Sequence, residues 1–137
     1  MAIKRDKYDA VFSELVRERA DYACEYCGVT KETRQIECCH IFGRRNVAVR
    51  WHGMNAVALC HHHHRHFTEN PLAFNSWLES TLGRGHLDLL REKANTIRKW
   101  KQWEKDEMYA HYRSELARIR ELRMGGMCGR IEFVSFE

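Results

Sequence analysis

Four cysteine and histidine positions constrain this chain more than any others. Cys24 and Cys27 form a C-x2-C pair, and 33 residues after Cys27, Cys60 and His63 form a C-x2-H pair. Each pair sits at a turn into or out of a regular element, where both side chains can point at one ion. Together they supply four tetrahedral ligands, the donor set of a closed structural Zn2+ site of Cys3His type. The alternative for Cys24 and Cys27 is a pair of buried thiols, which leaves the second pair without a purpose.

The second pair lies in "ALCHHHHRHF", residues 58–67. The run is internal and flanked by an apolar segment and a helical pattern, unlike a tag. On a helix, His64 lies about 100° round from His63 and faces elsewhere, toward Cys39 and His40 of the first strand, read at residues 34–42. The run therefore serves two sites, one closed and one open. His61, His62 and His66 read as solvated residues or phosphate contacts.

The flanking pattern predicts an α+β chain that is mostly helical. Tyr8, Val11, Phe12, Leu15 and Val16 recur at helical spacing and predict an amphipathic helix over 6–20. "CEYCG" reads as a tight knuckle. Residues 34–42 read as a strand, 43–55 as a basic loop, and "AVALC" as a second strand. The His run opens a helix of at most about three turns. Asn70 and Pro71 start another, which Gly83 ends. Further helices are expected over 86–97 and, as a long charged one, over 99–123. Trp103, Met108, Tyr112, Leu116 and Ile119 are read as its apolar stripe. "MGGMCG" breaks it, and the tail reads as a strand or as disordered. The expected organisation is one domain over 1–137, with an N-terminal helix (1–22), a zinc-stabilised core (23–70), a helical extension (71–124) and a tail (125–137).

Composition limits the function classes. The 137 residues are 44% apolar and 31% charged, with a formal charge of +4. No run approaches a membrane span, so no membrane association is expected. The first residues have no apolar signal core, so a cytoplasmic location is expected. There the six cysteines suit metal ligation better than disulfides. The mild positive charge fits a polyanionic partner.

"CEYCG…IECCHI…N…LCHHHHRHF" resembles the HNH (ββα-metal) endonucleases, whose common form has C-x2-C, E-x-H-H-I, an Asn, and L-C-x2-C-H. Glu37, Cys39, His40 and Ile41 align with the second element, Asn55 with the Asn, and Cys60, His63 and His64 with the last. The resemblance covers residues 17–68. "HIFGRRNVAVRWHGMNAVALC", followed by an Asn-Pro helix and a long charged helix, is further similar to the phage NinG (Rap) recombination endonucleases. This implies a ββα-metal core and a metal-dependent DNA endonuclease acting on branched DNA such as D-loops and Holliday junctions. His40, Asn55 and His64 would be catalytic, and His64 and Cys39 would hold a catalytic Mg2+, Mn2+ or Zn2+.

Two departures stand out. Cys39 occupies a place where many members carry Asp or His, and Thr68 a place where many carry His or Asn. A thiolate would favour Zn2+ over Mg2+. Strand alternation puts Cys38, not Cys39, beside His40, so both cysteines stay open.

As a histidine, His40 has an unperturbed pKa suited to taking a proton from water near neutrality. Asn55 is read either as a tie between loop and strands or as a plain turn residue. Arg44, Arg45 and Arg50 lie in a stretch without acidic residues and suit phosphate contacts that position DNA without reading it. Lys99 and Lys101 are further candidates for DNA contact, while Trp100 and Trp103 are read as core. The rival classes are a non-catalytic zinc-stabilised DNA-binding module and an HNH nuclease of homing, restriction or packaging type. A homodimer would suit a substrate with two-fold symmetry.

Overall fold

The computed structural model describes residues 3–32 and 35–137. Among these, five α-helices and one two-stranded antiparallel sheet make an α+β, mostly helical arrangement. Helix α1 (Lys7–Arg19) leads to β1 (Ile36–His40), then through a turn-rich loop to β2 (Ala56–Cys60), which runs directly into α2 (His61–Glu69). Three further helices follow: α3 (Pro71–Leu82), α4 (Arg84–Ala94) and α5 (Gln102–Met124).

Asp6 and Asp9 start α1 reciprocally. The Asp6 side chain accepts from the Asp9 N–H and Asp9 from the Asp6 N–H, each at 2.9 Å. Two of the first turn's orphan donors are satisfied in this way. Its buried stripe is the expected one, with Phe12, Leu15 and Val16 fully buried. It packs on the sheet and on α5, which contributes Met108, Tyr112, Leu116 and Ile119.

The strands pair from Ile36 with Cys60 to His40 with Ala56. Strand parity separates the two faces of β1. His40 meets Phe12 of α1 ring to ring at 5.8 Å. Glu37, of opposite parity, bonds to α2. Strand β2 is buried along its whole length, as a strand covered on both faces must be.

Several expected boundaries shift. Strand β1 is shorter than 34–42, and residue 34 lies outside the described residues. Helix α4 spans 84–94 rather than 86–97 and anchors the β1–β2 loop by packing Leu90 and Ala94 on Val49. Helix α5 begins at Gln102, where the Lys101 N–H donates to Glu104 Oε1 at 3.0 Å.

Trp103 is not on the buried stripe of α5 but 57% exposed. It lies five residues before Met108, a spacing that rotates it about 140° off that stripe. Trp100, in contrast, is wedged against Trp51, with centroids 5.3 Å apart, and its indole donates to the Val47 carbonyl.

The tail forms no strand, yet it is packed. Ile131 and Phe133 are buried in the main core. Backbone N–H groups of Gly129, Ile131, Val134 and Phe136 all find partners on α1, α5 or the turn after α1. Phe133 packs so closely on Gly53 that a Cβ there would sit 3.2 Å from its ring. No helix among the described residues is long and apolar enough to cross a membrane.

Candidate metal centre and active site

The knuckle that presents Cys24 and Cys27 is built by local backbone bonds. Asp21 and Tyr22 turn the chain out of α1 with φ of 56° and 53°. The Cys24 N–H then donates to the Val29 carbonyl and the Gly28 N–H to the Cys24 carbonyl, both at 2.8 Å. Gly28 has φ of 81°, which glycine adopts without steric cost. Glu25 ties this turn to the middle of β2: its N–H donates to the Ala58 carbonyl, and its carboxylate accepts from the Ala58 N–H. This docking brings the first pair to the end of β2, where Cys60 and His63 stand.

Ligand atoms of Cys24, Cys27, Cys60 and His63 all lie within 4.8 Å of one another. Cys27 Sγ and Cys60 Sγ are 3.9 Å apart, and Cys60 Sγ is 3.2 Å from His63 Nδ1. Four ligands at zinc–sulfur distance make a tetrahedron with edges of about 3.8 Å, so the set fits a metal such as zinc. Burial alone would raise the Cys24 thiol, but N–H groups of Cys27, Cys60 and Tyr26 directed at its sulfur outweigh that and lower its pKa. Those donors favour the thiolate that a metal requires. Tyr26 lies against the His63 ring at 4.7 Å and leads into an aromatic stack in which Phe67 and Trp77 are nearly parallel. The centre is thereby tied to α3.

His40 and His64 line a separate cavity of about 360 Å3, together with Arg5, Asp9, Ser13, Cys38, Gly43 and Arg44. His40 Nε2 lies 3.2 Å from the Arg50 carbonyl oxygen. A carbonyl only accepts, so Nε2 carries the hydrogen and Nδ1 of the neutral ring keeps a lone pair. Burial lowers the His40 pKa below the ordinary histidine value, against the opposing pull of that carbonyl. His40 is thus a neutral acceptor at neutral pH.

His64 is oriented by Glu37, whose Oε1 lies 2.9 Å from His64 Nδ1, while Oε2 lies 3.2 Å from His61 Nδ1. Burial alone would raise the Glu37 carboxyl, but these two imidazoles outweigh that and lower it. The carboxylate accepts, so Nδ1 of His64 is the donor, and in the neutral ring the lone pair is at Nε2. A carboxylate holding one imidazole nitrogen while the other is left for an ion is the usual arrangement behind metal-ligating histidines.

Asn55 is fully buried and lies outside the cavity wall. Its amide donates to the Phe42 and Val49 carbonyls at 2.8 and 3.1 Å, and its oxygen accepts from the Phe42 N–H at 2.7 Å. It ties the two ends of the β1–β2 loop and so holds the residues that follow His40.

Cys39 does not face the cavity. It is buried in the core with its sulfur 3.9 Å from the His40 carbonyl, and burial pushes its thiol up to about 12. Cys38, on the same strand face as His40, lines the cavity instead, and its thiol is likewise pushed up to about 12 by burial.

Arg50 is not an open phosphate contact, because Asp9 holds its guanidinium through two bonds of 2.9 and 2.6 Å. Arg44 does reach the cavity wall, 3.7 Å from the same carboxylate, and Arg45 is exposed beside it. Lys99 and Lys101 are exposed and outside the cavity wall. Among the described residues, Cys24, Cys27, Cys60 and His63 form the one group of three or more such ligands that converges.

The sequence reasoning missed Asp9 and Arg5. Both come from the start of the chain, where helical spacing alone marks one as a cap and the other as solvated. Glu37 was legible as part of the motif, though not as the partner of two histidines. A larger cavity of about 700 Å3, lined by Arg19, Glu25, His86 and Arg130 among others, contains none of His40, Asn55 and His64. In comparisons with family models, curated proteins and solved structures, the chain has no match.

Proposed function

We propose that the chain is a metal-dependent DNA endonuclease of the HNH (ββα-metal) type, hydrolysing phosphodiester bonds in branched recombination intermediates such as D-loops and Holliday junctions. The observation that carries this reading is the pairing of two histidines in one cavity. His40 turns Nε2 to the Arg50 carbonyl and His64 turns Nδ1 to Glu37, which leaves His40 Nδ1 and His64 Nε2 as the nitrogens not held by those bonds.

His40 Nδ1 takes a proton from the attacking water as the new P–O bond forms, and the bond to the departing sugar oxygen breaks. A divalent cation (Mg2+, Mn2+ or Zn2+) held at His64 would supply Lewis-acid relief of charge on the phosphate and the departing oxygen. Arg5 and Arg44 at the cavity wall hold the phosphate through guanidinium contacts. Asn55 keeps the loop after His40 in place. The Cys3His group, as a structural Zn2+ site, fixes the start of α2 and with it His64. The order β1–β2–α2, with the Cys/His group at the β2–α2 junction, is the one such a core requires. Branched DNA as the substrate, and a role in phage recombination, rest on the likeness to the NinG (Rap) enzymes.

The test is cleavage of linear, nicked, flap and four-way DNAs with each divalent metal in turn. Metal-dependent cutting that favours the four-way or flap substrate is the expected result. Binding to every DNA with cleavage of none would make the chain a zinc-stabilised DNA-binding module instead.

A further inference from the structure

We propose that Asp9, on α1 at the wall of the same cavity, is a positioning residue that sets the tautomer of His40. Its catalytic consequence rests on the nuclease reading above, whereas its structural consequence rests on geometry alone.

Asp9 is 5% exposed, and its two oxygens meet four donors. Oδ1 accepts from Arg50 Nε and Trp51 Nε1, both at 2.9 Å. Oδ2 accepts from Arg50 Nη2 at 2.6 Å and from the Asp6 N–H at 2.9 Å. Arg50 and Trp51 are consecutive, so one carboxylate grips the side chains on both sides of a single peptide group. The carbonyl of that peptide is the Arg50 oxygen that faces His40 Nε2.

A third anchor follows one residue on, where the Tyr112 hydroxyl donates to the Trp51 carbonyl. A peptide plane held at both flanks cannot swing its C=O away from the imidazole. The path therefore runs from Asp9 to the 50–51 peptide, from that carbonyl to the Nε2 hydrogen, and so to a bare Nδ1. An imidazole without a fixed acceptor divides between its two tautomers, and the Nδ1–H form cannot take a proton at Nδ1. The same principle lets a buried carboxylate orient a catalytic histidine elsewhere, although here it acts through a backbone carbonyl rather than directly. An ion pair that merely fastened α1 to the loop would not need to straddle this one peptide.

The tautomer can be read without any reaction. In 15N-labelled, zinc-loaded protein, two-bond proton–nitrogen correlations distinguish the Nε2–H from the Nδ1–H form of His40. The wild type should show the Nε2–H form alone. Asp9→Asn should show both, with zinc content and circular dichroism unchanged. Its kcat on DNA should fall at least about tenfold, with KM within about twofold.

An Asp9→Asn protein that keeps the single Nε2–H form and the wild-type kcat overturns the proposal. If the wild type cuts no DNA, the nuclease reading fails while the tautomer comparison still decides the role of Asp9. If Asp9→Asn does not fold, Arg50→Lys and Trp51→Phe remove the two grips separately. Mixed tautomers in either variant support the proposal, and a single Nε2–H form in both overturns it.

Discussion

At the residue scale the proposed chemistry turns on which nitrogen each histidine commits to a hydrogen bond. His40 donates through Nε2 to a carbonyl and His64 through Nδ1 to a carboxylate, so the two rings present opposite nitrogens. His40→Ala should therefore lower cleavage by roughly 10²- to 10⁴-fold while zinc content, fold and DNA affinity stay near wild type. Single-turnover cleavage beside a binding isotherm checks this, and wild-type cutting by the variant would remove His40 from the reaction.

The pH profile has a definite sign. Burial lowers the His40 pKa, so the base form persists to lower pH than for a solvated histidine. The acid limb of kcat/KM should have its midpoint below about 6.5, the ordinary histidine value. A midpoint above it would mean that another group titrates. His40 and His64 were legible as a pair from strand position and helical phase. What set their tautomers was not, because an acceptor ten residues away and a carboxylate on the neighbouring strand are tertiary neighbours.

At the element scale, the knuckle, the end of β2 and the first turn of α2 converge through Cys24, Cys27, Cys60 and His63. None of these pieces is long enough to be stable alone. Metal binding in small zinc domains contributes folding free energy on the order of 10 kcal/mol. Cys24→Ser or Cys60→Ser should give insoluble or unfolded protein, and a strong chelator should lower the wild-type melting temperature. A folded, metal-free Cys24→Ser protein, judged by circular dichroism and metal analysis, is the outcome that excludes a structural role for this group.

The tail also behaves as an element, although it has no regular structure. Phe133 packs on Phe12 and Tyr112 and beneath the Arg19 guanidinium. Phe133→Ala should cost about 3 kcal/mol, read from the urea midpoint. A cost under about 0.5 kcal/mol would mean that the strap is dispensable. The tail was unreadable in the sequence because its partners are side chains and carbonyls of α1 and α5, not a neighbouring strand.

At the scale of the whole molecule, the question is where the positive charge meets a substrate. The sequence offered Arg44, Arg45 and Arg50 as equals, but folding spends Arg50 on Asp9 and leaves Arg44 at the cavity wall with Arg5. Changing Arg44 and Arg45 together to Ala should weaken binding to every DNA, whatever its sequence. The slope of affinity against salt should become shallower by roughly 0.9 per lost duplex phosphate contact. Titrations of four-way and linear DNA at several salt concentrations measure both quantities. An unchanged slope removes these arginines from the phosphate contacts, and sequence-dependent losses would point to base readout.

By itself, the sequence determined the main elements and the four Cys and His residues that converge, Cys24, Cys27, Cys60 and His63. Apolar spacing along 6–20 dictates a helix, "AVALC" a buried strand, and two ligand pairs at turns a common centre, because each is a local rule of period or reach. The tertiary structure alone decided which cysteine faces the cavity, which arginine is occupied, and what orients each histidine. These depend on burial and on partners far apart in the chain: α1 brings Asp9 to Arg50 across 41 positions, and β1 brings Glu37 to His64 across 27. Ion pairs and hydrogen bonds act over a few ångströms of space whatever the separation along the chain, and only the folded chain sets those distances.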